Sequence, residues 1–136
     1  MKTLVVYHSK TGNTKKMAEA IAKSCNGVLK SVDEVKNKDF VNADIIVLGS
    51  PTYFRCMSAE MKKIVDKSID IYGKLNDKKG FVFSSSGTKE DGEKCLKSLF
   101  EALDCHGVRV VDQILVVGKP NKNDLERCRQ FGEKIL

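Results

Sequence analysis

Apolar positions come in short blocks along this chain, and the blocks alternate between two periods. Leu4, Val5, Val6 and Tyr7 form an unbroken apolar run with the β-branched and aromatic character of a buried strand. The run breaks at His8-Ser9-Lys10-Thr11-Gly12, and apolar residues resume at Met17, Ala20, Ile21 and Cys25, a helical spacing. Gly27 to Val32 alternates weakly and predicts a short second strand, and Asp33 to Asn42 predicts a helical turn around Phe40 and Val41. Ala43 to Gly49 is nearly continuous in apolar residues, as a strand covered on both faces is. Ser58 is placed to cap a helix with Met61, Ile64, Val65 and Ile69 on one face. Gly80 to Ser84 predicts a fourth strand, and Glu90 to Leu103 a helix presenting Leu96, Leu99, Phe100 and Leu103. A fifth strand lies within Val108 to Val117. Asn121 or Asn123 then starts a last helix with Leu125, Cys128, Phe131 and Ile135 inward.

Strands that alternate with helices imply βαβ units, right-handed crossovers and a parallel sheet. Five of them predict an α/β, doubly wound sheet of order 2-1-3-4-5 with helices on both faces. Ligands then sit outside the carboxyl ends of the strands, at the switch point between the first and third. Three segments become site-forming by that rule: Ser9–Thr14, Ser50–Met57 and Ser84–Gly92.

The first segment joins a strand to a helix through hydroxyls and one glycine. The leading N–H groups of a helix lack partners within it, and the helix dipole adds positive charge there, so an anion such as phosphate fits. Ser9, Thr11 and Thr14 offer hydroxyls, and Gly12 allows close backbone approach. Asn13 or Thr11 acting as a plain helix cap without a ligand is the alternative. Neither the Walker loop nor the three-glycine dinucleotide fingerprint is present: Lys10 precedes a single glycine.

In the second segment, Tyr53 and Phe54 are adjacent aromatics beside Pro51 and Thr52. One can stack on a planar ring system while the other packs onto the following helix. Arg55 brings a cation and Cys56 a thiol, read as a small, partly buried residue with no resolving cysteine close in sequence. In the third, Ser84, Ser85, Ser86, Gly87 and Thr88 are small enough for the backbone to reach a flat ligand edge; a plain turn with a cap is the alternative.

Length and composition narrow the class. One domain spanning 1–136 is expected, with 41% hydrophobic and 31% charged residues, as in an ordinary globular chain. No run suits a membrane span, and Met1-Lys2-Thr3 leads straight into the first strand, leaving no room for a signal peptide. Five cysteines without a Cys-x-x-Cys pair argue against a disulfide framework and a structural zinc, and suit a reducing cytoplasm. Cys25, Cys95, Cys105 and Cys128 read as core. The formal charge is +6, but the lysines are scattered and no aromatic-basic interleaving supports nucleic-acid binding; an acidic partner is compatible. A response-regulator receiver shares this sheet, yet it needs acids where His8-Ser9-Lys10 stand and an aspartate where Gly49-Ser50 stand. A small tyrosine phosphatase needs a cysteine in the phosphate loop, which has none.

Ser9-Lys-Thr-Gly-Asn-Thr14 after a first strand resembles the FMN-phosphate loop of flavodoxins, commonly Ser/Thr-x-Thr-Gly-Asn-Thr. Gly49-Ser-Pro-Thr-Tyr53 and Phe83-Ser-Ser-Ser-Gly-Thr88 look like the FMN loops of the quinone-reductase branch of that superfamily. The length and the ending Phe131-Gly-Glu-Lys-Ile135 look more like small bacterial electron-transfer flavodoxins. The resemblance covers essentially the whole chain. It implies a flavodoxin-like fold and FMN, with phosphate on Ser9, Lys10, Thr11, Gly12, Asn13 and Thr14. The isoalloxazine would lie between Pro51, Thr52, Tyr53, Phe54, Arg55 and Ser84, Ser85, Ser86, Gly87, Thr88. It also implies a redox role: an electron carrier with a protein partner, an NAD(P)H-dependent oxidoreductase acting on a quinone-like acceptor, or a flavin-binding module without turnover. Two departures stand out. Electron-transfer flavodoxins are usually acidic, whereas this chain is basic. They also often carry a glycine in the second loop, where a peptide turns towards the flavin; Tyr53-Phe54-Arg55 has none, and positive φ is costly without one.

Overall fold

A computed structural model describes residues 1–136. The strands are β1 (Thr3–Tyr7), β2 (Val28–Ser31), β3 (Ile45–Pro51), β4 (Lys79–Ser86) and β5 (Arg109–Val117). The helices are α1 (Asn13–Cys25), α2 (Asn37–Asn42), α3 (Ala59–Lys67), α4 (Lys89–Asp104) and α5 (Lys122–Ile135). The sheet is wholly parallel with order β2-β1-β3-β4-β5, as the strand and helix pattern predicts.

The period of two along each strand sorts the core into two layers. Leu4, Val6, Ile46, Leu48 and Val82 face α3 and α4 with Met61, Ile64, Leu96, Leu99 and Leu103. Val5, Ile45, Val47, Phe81 and Phe83 face α1 and α5 with Met17, Ile21, Cys128, Phe131 and Ile135. Gly49 is forced by this packing: a Cβ there would lie 2.0 Å from Cζ of the buried Phe83 on the adjacent strand. The β4–β5 register shifts between Gly80 and Phe81, which leaves Val111 outside the ladder. No helix is long and apolar enough to cross a membrane.

Several expectations need correction. α3 stops at Lys67 and a 3-10 turn follows over Ser68–Ile71, so the helical face is not continued: Ile69 is exposed and Ile71 takes the inward place. Phe100 is more than a third exposed, and Leu125 is only half-buried. Cys105, expected in the core, is exposed just past the end of α4. β4 runs two residues further than predicted, so Ser85 and Ser86 belong to the sheet rather than to a loop.

Candidate functional site

Three segments meet at the carboxyl ends of β1, β3 and β4. The first leaves β1 at His8, whose N–H donates to Gly49 O at 3.1 Å. Ser9 Oγ accepts from both Gly12 N (3.1 Å) and Lys15 N (3.2 Å), gathering the start of α1 around one hydroxyl. Gly12, not Asn13 or Thr11, occupies the N-cap position, at φ 98° and ψ −11°, and makes no side-chain cap. The backbone N–H groups of Lys10, Thr11, Asn13 and Thr14 have no acceptor within the chain. No acidic residue lies in the first turn of α1, and a Cβ built on Gly12 meets nothing within 4 Å. Such a concave set of unpaired donors at a helix start, under a favourable dipole, suits an anion.

Thr14 departs from its expected role. It is 1% exposed, and its Oγ1 is 2.7 Å from Ser85 Oγ, a buried pairing of α1 with β4. Its hydroxyl serves the sheet, and its N–H is the group left unpaired.

The second segment is a tight hairpin. Tyr53 N donates to Cys56 O (3.0 Å) and Cys56 N to Tyr53 O (3.1 Å). Phe54 and Arg55 between them sit at φ 50° and 67°, the left-handed pattern of a type I′ turn, which ordinarily takes Asn-Gly. The loop thus takes positive φ without a glycine, bearing the cost that the sequence implies. Each non-glycine residue there carries a penalty of roughly 1–2 kcal/mol. Ties to α4 hold the strained turn: Arg55 Nε to Asp91 Oδ1 at 3.0 Å, and Met57 N to Ser98 Oγ at 3.1 Å. Arg55 is thus a paired cation, not a bare one. Phe54 is fully exposed, whereas Tyr53 is 37% exposed and mostly covered. Pro51 is buried at the end of β3, and Thr52 pairs with Ser84 through their hydroxyls at 2.9 Å.

The third segment is shorter on its exposed side than the sequence suggested. Ser84, Ser85 and Ser86 are all buried; Ser84 Oγ donates to Ser50 O at 2.7 Å, and Ser85 binds Thr14. Gly87 and Thr88 are exposed, as are Lys89 and Glu90 that follow, and Thr88 Oγ1 caps α4 by accepting from Asp91 N. The serines act as a hydrogen-bonded floor that joins the three segments, because hydroxyls this deep need partners.

Sequence reasoning missed one cluster. His8 Nδ1 is 2.9 Å from Ser58 Oγ, and Ser58 N donates to Ser50 Oγ at 2.9 Å. Ser58 Oγ also accepts from Met61 N, and the other ring nitrogen of His8, Nε2, lies 3.9 Å from Glu60 Oε2. Only the cap at Ser58 was visible in the sequence; residues fifty positions apart carry no local signal.

A sheet of this order with a candidate anion cradle after β1 and a paired second loop after β3 defines a doubly wound α/β protein with its site at the strand ends. The flavodoxin domain family model matches residues 4–118, and the chain belongs to that family. A flavodoxin of Aquifex aeolicus is 33% identical, with 98% of this chain and 84% of that protein covered. An NAD(P)H dehydrogenase (quinone) of Archaeoglobus fulgidus is 30% identical, with 94% and 81% covered. Among solved structures, a flavodoxin, WrbA-like protein from Agrobacterium tumefaciens superposes with TM-score 0.92 at 29% identity, covering 98% and 94% of the two chains. The chain is accordingly a flavodoxin-like flavin protein, and the fit of its site to a flavin phosphate rests on the unpaired N–H groups and open face at Gly12.

Proposed function

We propose that residues 1–136 are one FMN-binding domain that carries electrons to a protein partner in the cytoplasm. The observation that carries this reading is the start of α1, with four unpaired N–H groups around Ser9 and Gly12 and no acid in its first turn. Ser9, Lys10, Thr11, Gly12 and Asn13, with the N–H of Thr14, would hold the phosphate. Pro51, Thr52, Tyr53, Phe54 and Arg55 on one side, and Ser84, Ser85, Ser86, Gly87 and Thr88 on the other, would bracket the ring, the buried serines acting from beneath. When bound, FMN supplies the electron-accepting ring; the chain's residues hold, orient and shield it. The exposed Phe54 and Tyr53 offer apolar faces for that purpose. The formal charge of +6 favours an acidic partner.

A fluorescence titration with FMN and riboflavin tests this. Two or more charge-assisted hydrogen bonds to phosphate should make FMN bind about a hundredfold tighter or better. Equal affinity for the two rejects the assignment. The 30% identity with the quinone dehydrogenase favours a second reading, an NAD(P)H-dependent oxidoreductase acting on a quinone-like acceptor. Rapid reduction by NAD(P)H, with turnover only when a quinone is added, selects it over the carrier.

A further inference from the structure

The ties between the second loop and α4 bring Cys56 to the stretch of α4 that carries Cys95. Arg55 is bonded to Asp91 and Met57 to Ser98, so residues 55 to 57 run along α4 over two turns. Lys94 and Cys95 both lie between Asp91 and Ser98 by helical spacing; Lys94 is exposed, and Cys95 is the one turned inward, under the loop. Cys56, between the two tie points on the loop, is near enough to Cys95 to act on it electrostatically. Cys56 is exposed and Cys95 is fully buried beneath the loop. The Cys95 sulfur is within hydrogen-bond reach of Pro51 O (3.7 Å) and Ser84 Oγ (3.4 Å), both in the floor of the same site. Burial pushes the Cys95 thiol up, the Ser84 and Thr52 hydroxyls pull against that, and a charge on Cys56 is close enough to raise it further.

We propose that Cys56 and Cys95 form a reversible intrachain disulfide when the protein meets a hydroperoxide, clamping the Tyr53–Cys56 turn onto α4. The exposed Cys56 reacts first, as its thiolate. Its sulfur attacks one peroxide oxygen, the O–O bond breaks, and water (or an alcohol) leaves with Cys56 as a sulfenic acid. The Cys95 sulfur then displaces the sulfenic oxygen as water and the S–S bond forms. Two thiols have given up two electrons and two protons, and the peroxide has taken both. The other exposed thiol, Cys105, lies just past the end of α4 and lines the same surface cavity as Cys56, so it is the competing partner that the test must distinguish. Reduction by a dithiol reopens the clamp and frees the turn.

The test treats the fully reduced chain, FMN-loaded and FMN-free, with hydrogen peroxide and maps non-reduced peptides by mass spectrometry. The expected product joins the Cys56 and Cys95 peptides, loses two free thiols per chain, and reverts with dithiothreitol. It forms in Cys105→Ser and is absent in Cys56→Ser. The bridge closes a loop of about forty residues, so the oxidised protein should melt about 7–14 °C higher than the reduced one. Cys56 stopping as a sulfenic or sulfinic acid, a bridge to Cys105, a bridge between two chains, or an oxidised form that melts no higher would each overturn the proposal. Because the FMN-free chain is mapped too, failure of the thiol pair is distinguishable from failure of flavin binding.

Discussion

Gly12→Ala separates the two tasks assigned to the start of α1. Gly12 stands at φ 98°, its N–H donates to Ser9 Oγ, and its carbonyl accepts from Lys16 N at 3.1 Å. A methyl group there meets no protein atom within 4 Å, so the cost to the free protein is conformational rather than steric. The left-handed penalty for an L-residue is roughly 1–2 kcal/mol. At roughly 2.1 cal/mol/K per residue, 136 residues give an unfolding entropy near 0.29 kcal/mol/K, so the melting temperature should fall by about 3–7 °C. The methyl group also takes up open space at the turn that carries the unpaired N–H groups. FMN affinity should fall by at least about tenfold, whereas riboflavin, which has no phosphate to seat, should keep its affinity within a factor of about two. Thermal unfolding of the FMN-free protein measures the first effect, and parallel fluorescence titrations measure the second. Lys15→Ala is the control, since that side chain is exposed and not needed for a cradle of backbone groups. An unchanged melting temperature would refute the strained geometry. Equal loss of FMN and riboflavin, or a larger loss with Lys15→Ala, would refute the phosphate assignment.

Gly49→Ala should destabilise the protein by about 1–3 kcal/mol in urea denaturation, because its methyl group collides with the Phe83 ring, and Phe83→Leu in the same chain should recover part of the loss; an unaffected single variant contradicts the packing. Thr14→Val keeps the shape but leaves Ser85 Oγ without its α1 partner, which should cost about 1–3 kcal/mol of stability even without FMN, while Thr14→Ser restores most of it. His106 is buried, its Nε2 lies 2.7 Å from Ser68 Oγ, and its Nδ1 has no partner, so burial holds its pKa below the ordinary value. The unfolded chain then binds a proton that the folded one resists, so stability should fall as pH drops below about 6.5, levelling off below the folded-state value. His106→Phe should remove that component of the pH dependence in equilibrium denaturation; a slope that survives the substitution assigns it to other groups.

Much of the architecture is legible in the chain because its signals are local. The apolar runs at Leu4–Tyr7 and Ala43–Gly49 can bury both faces only inside a helix-covered sheet, and their alternation with amphipathic segments dictates parallel crossovers. The candidate anion loop is legible for the same reason: strand, hydroxyls, glycine and helix follow one another within a dozen residues, and the helix start needs partners whatever surrounds it. What was not legible depends on residues far apart. Ser84, Ser85 and Ser86 read as a polar loop, but hydrogen bonds to Ser50 and Thr14 and pairing with both neighbouring strands draw them into the sheet. Thr14 read as a ligand donor, and a hydroxyl 71 positions away claimed it. Ile69 read as inward until a 3-10 turn broke the helical period beneath it. Phe54 and Arg55 adopt positive φ against their own preference because pairing of Tyr53 with Cys56, and anchors on Asp91 and Ser98, together outweigh the local penalty. Local preference sets which elements form, and contacts between distant elements decide which polar groups are spent inside and which stay free to meet a ligand.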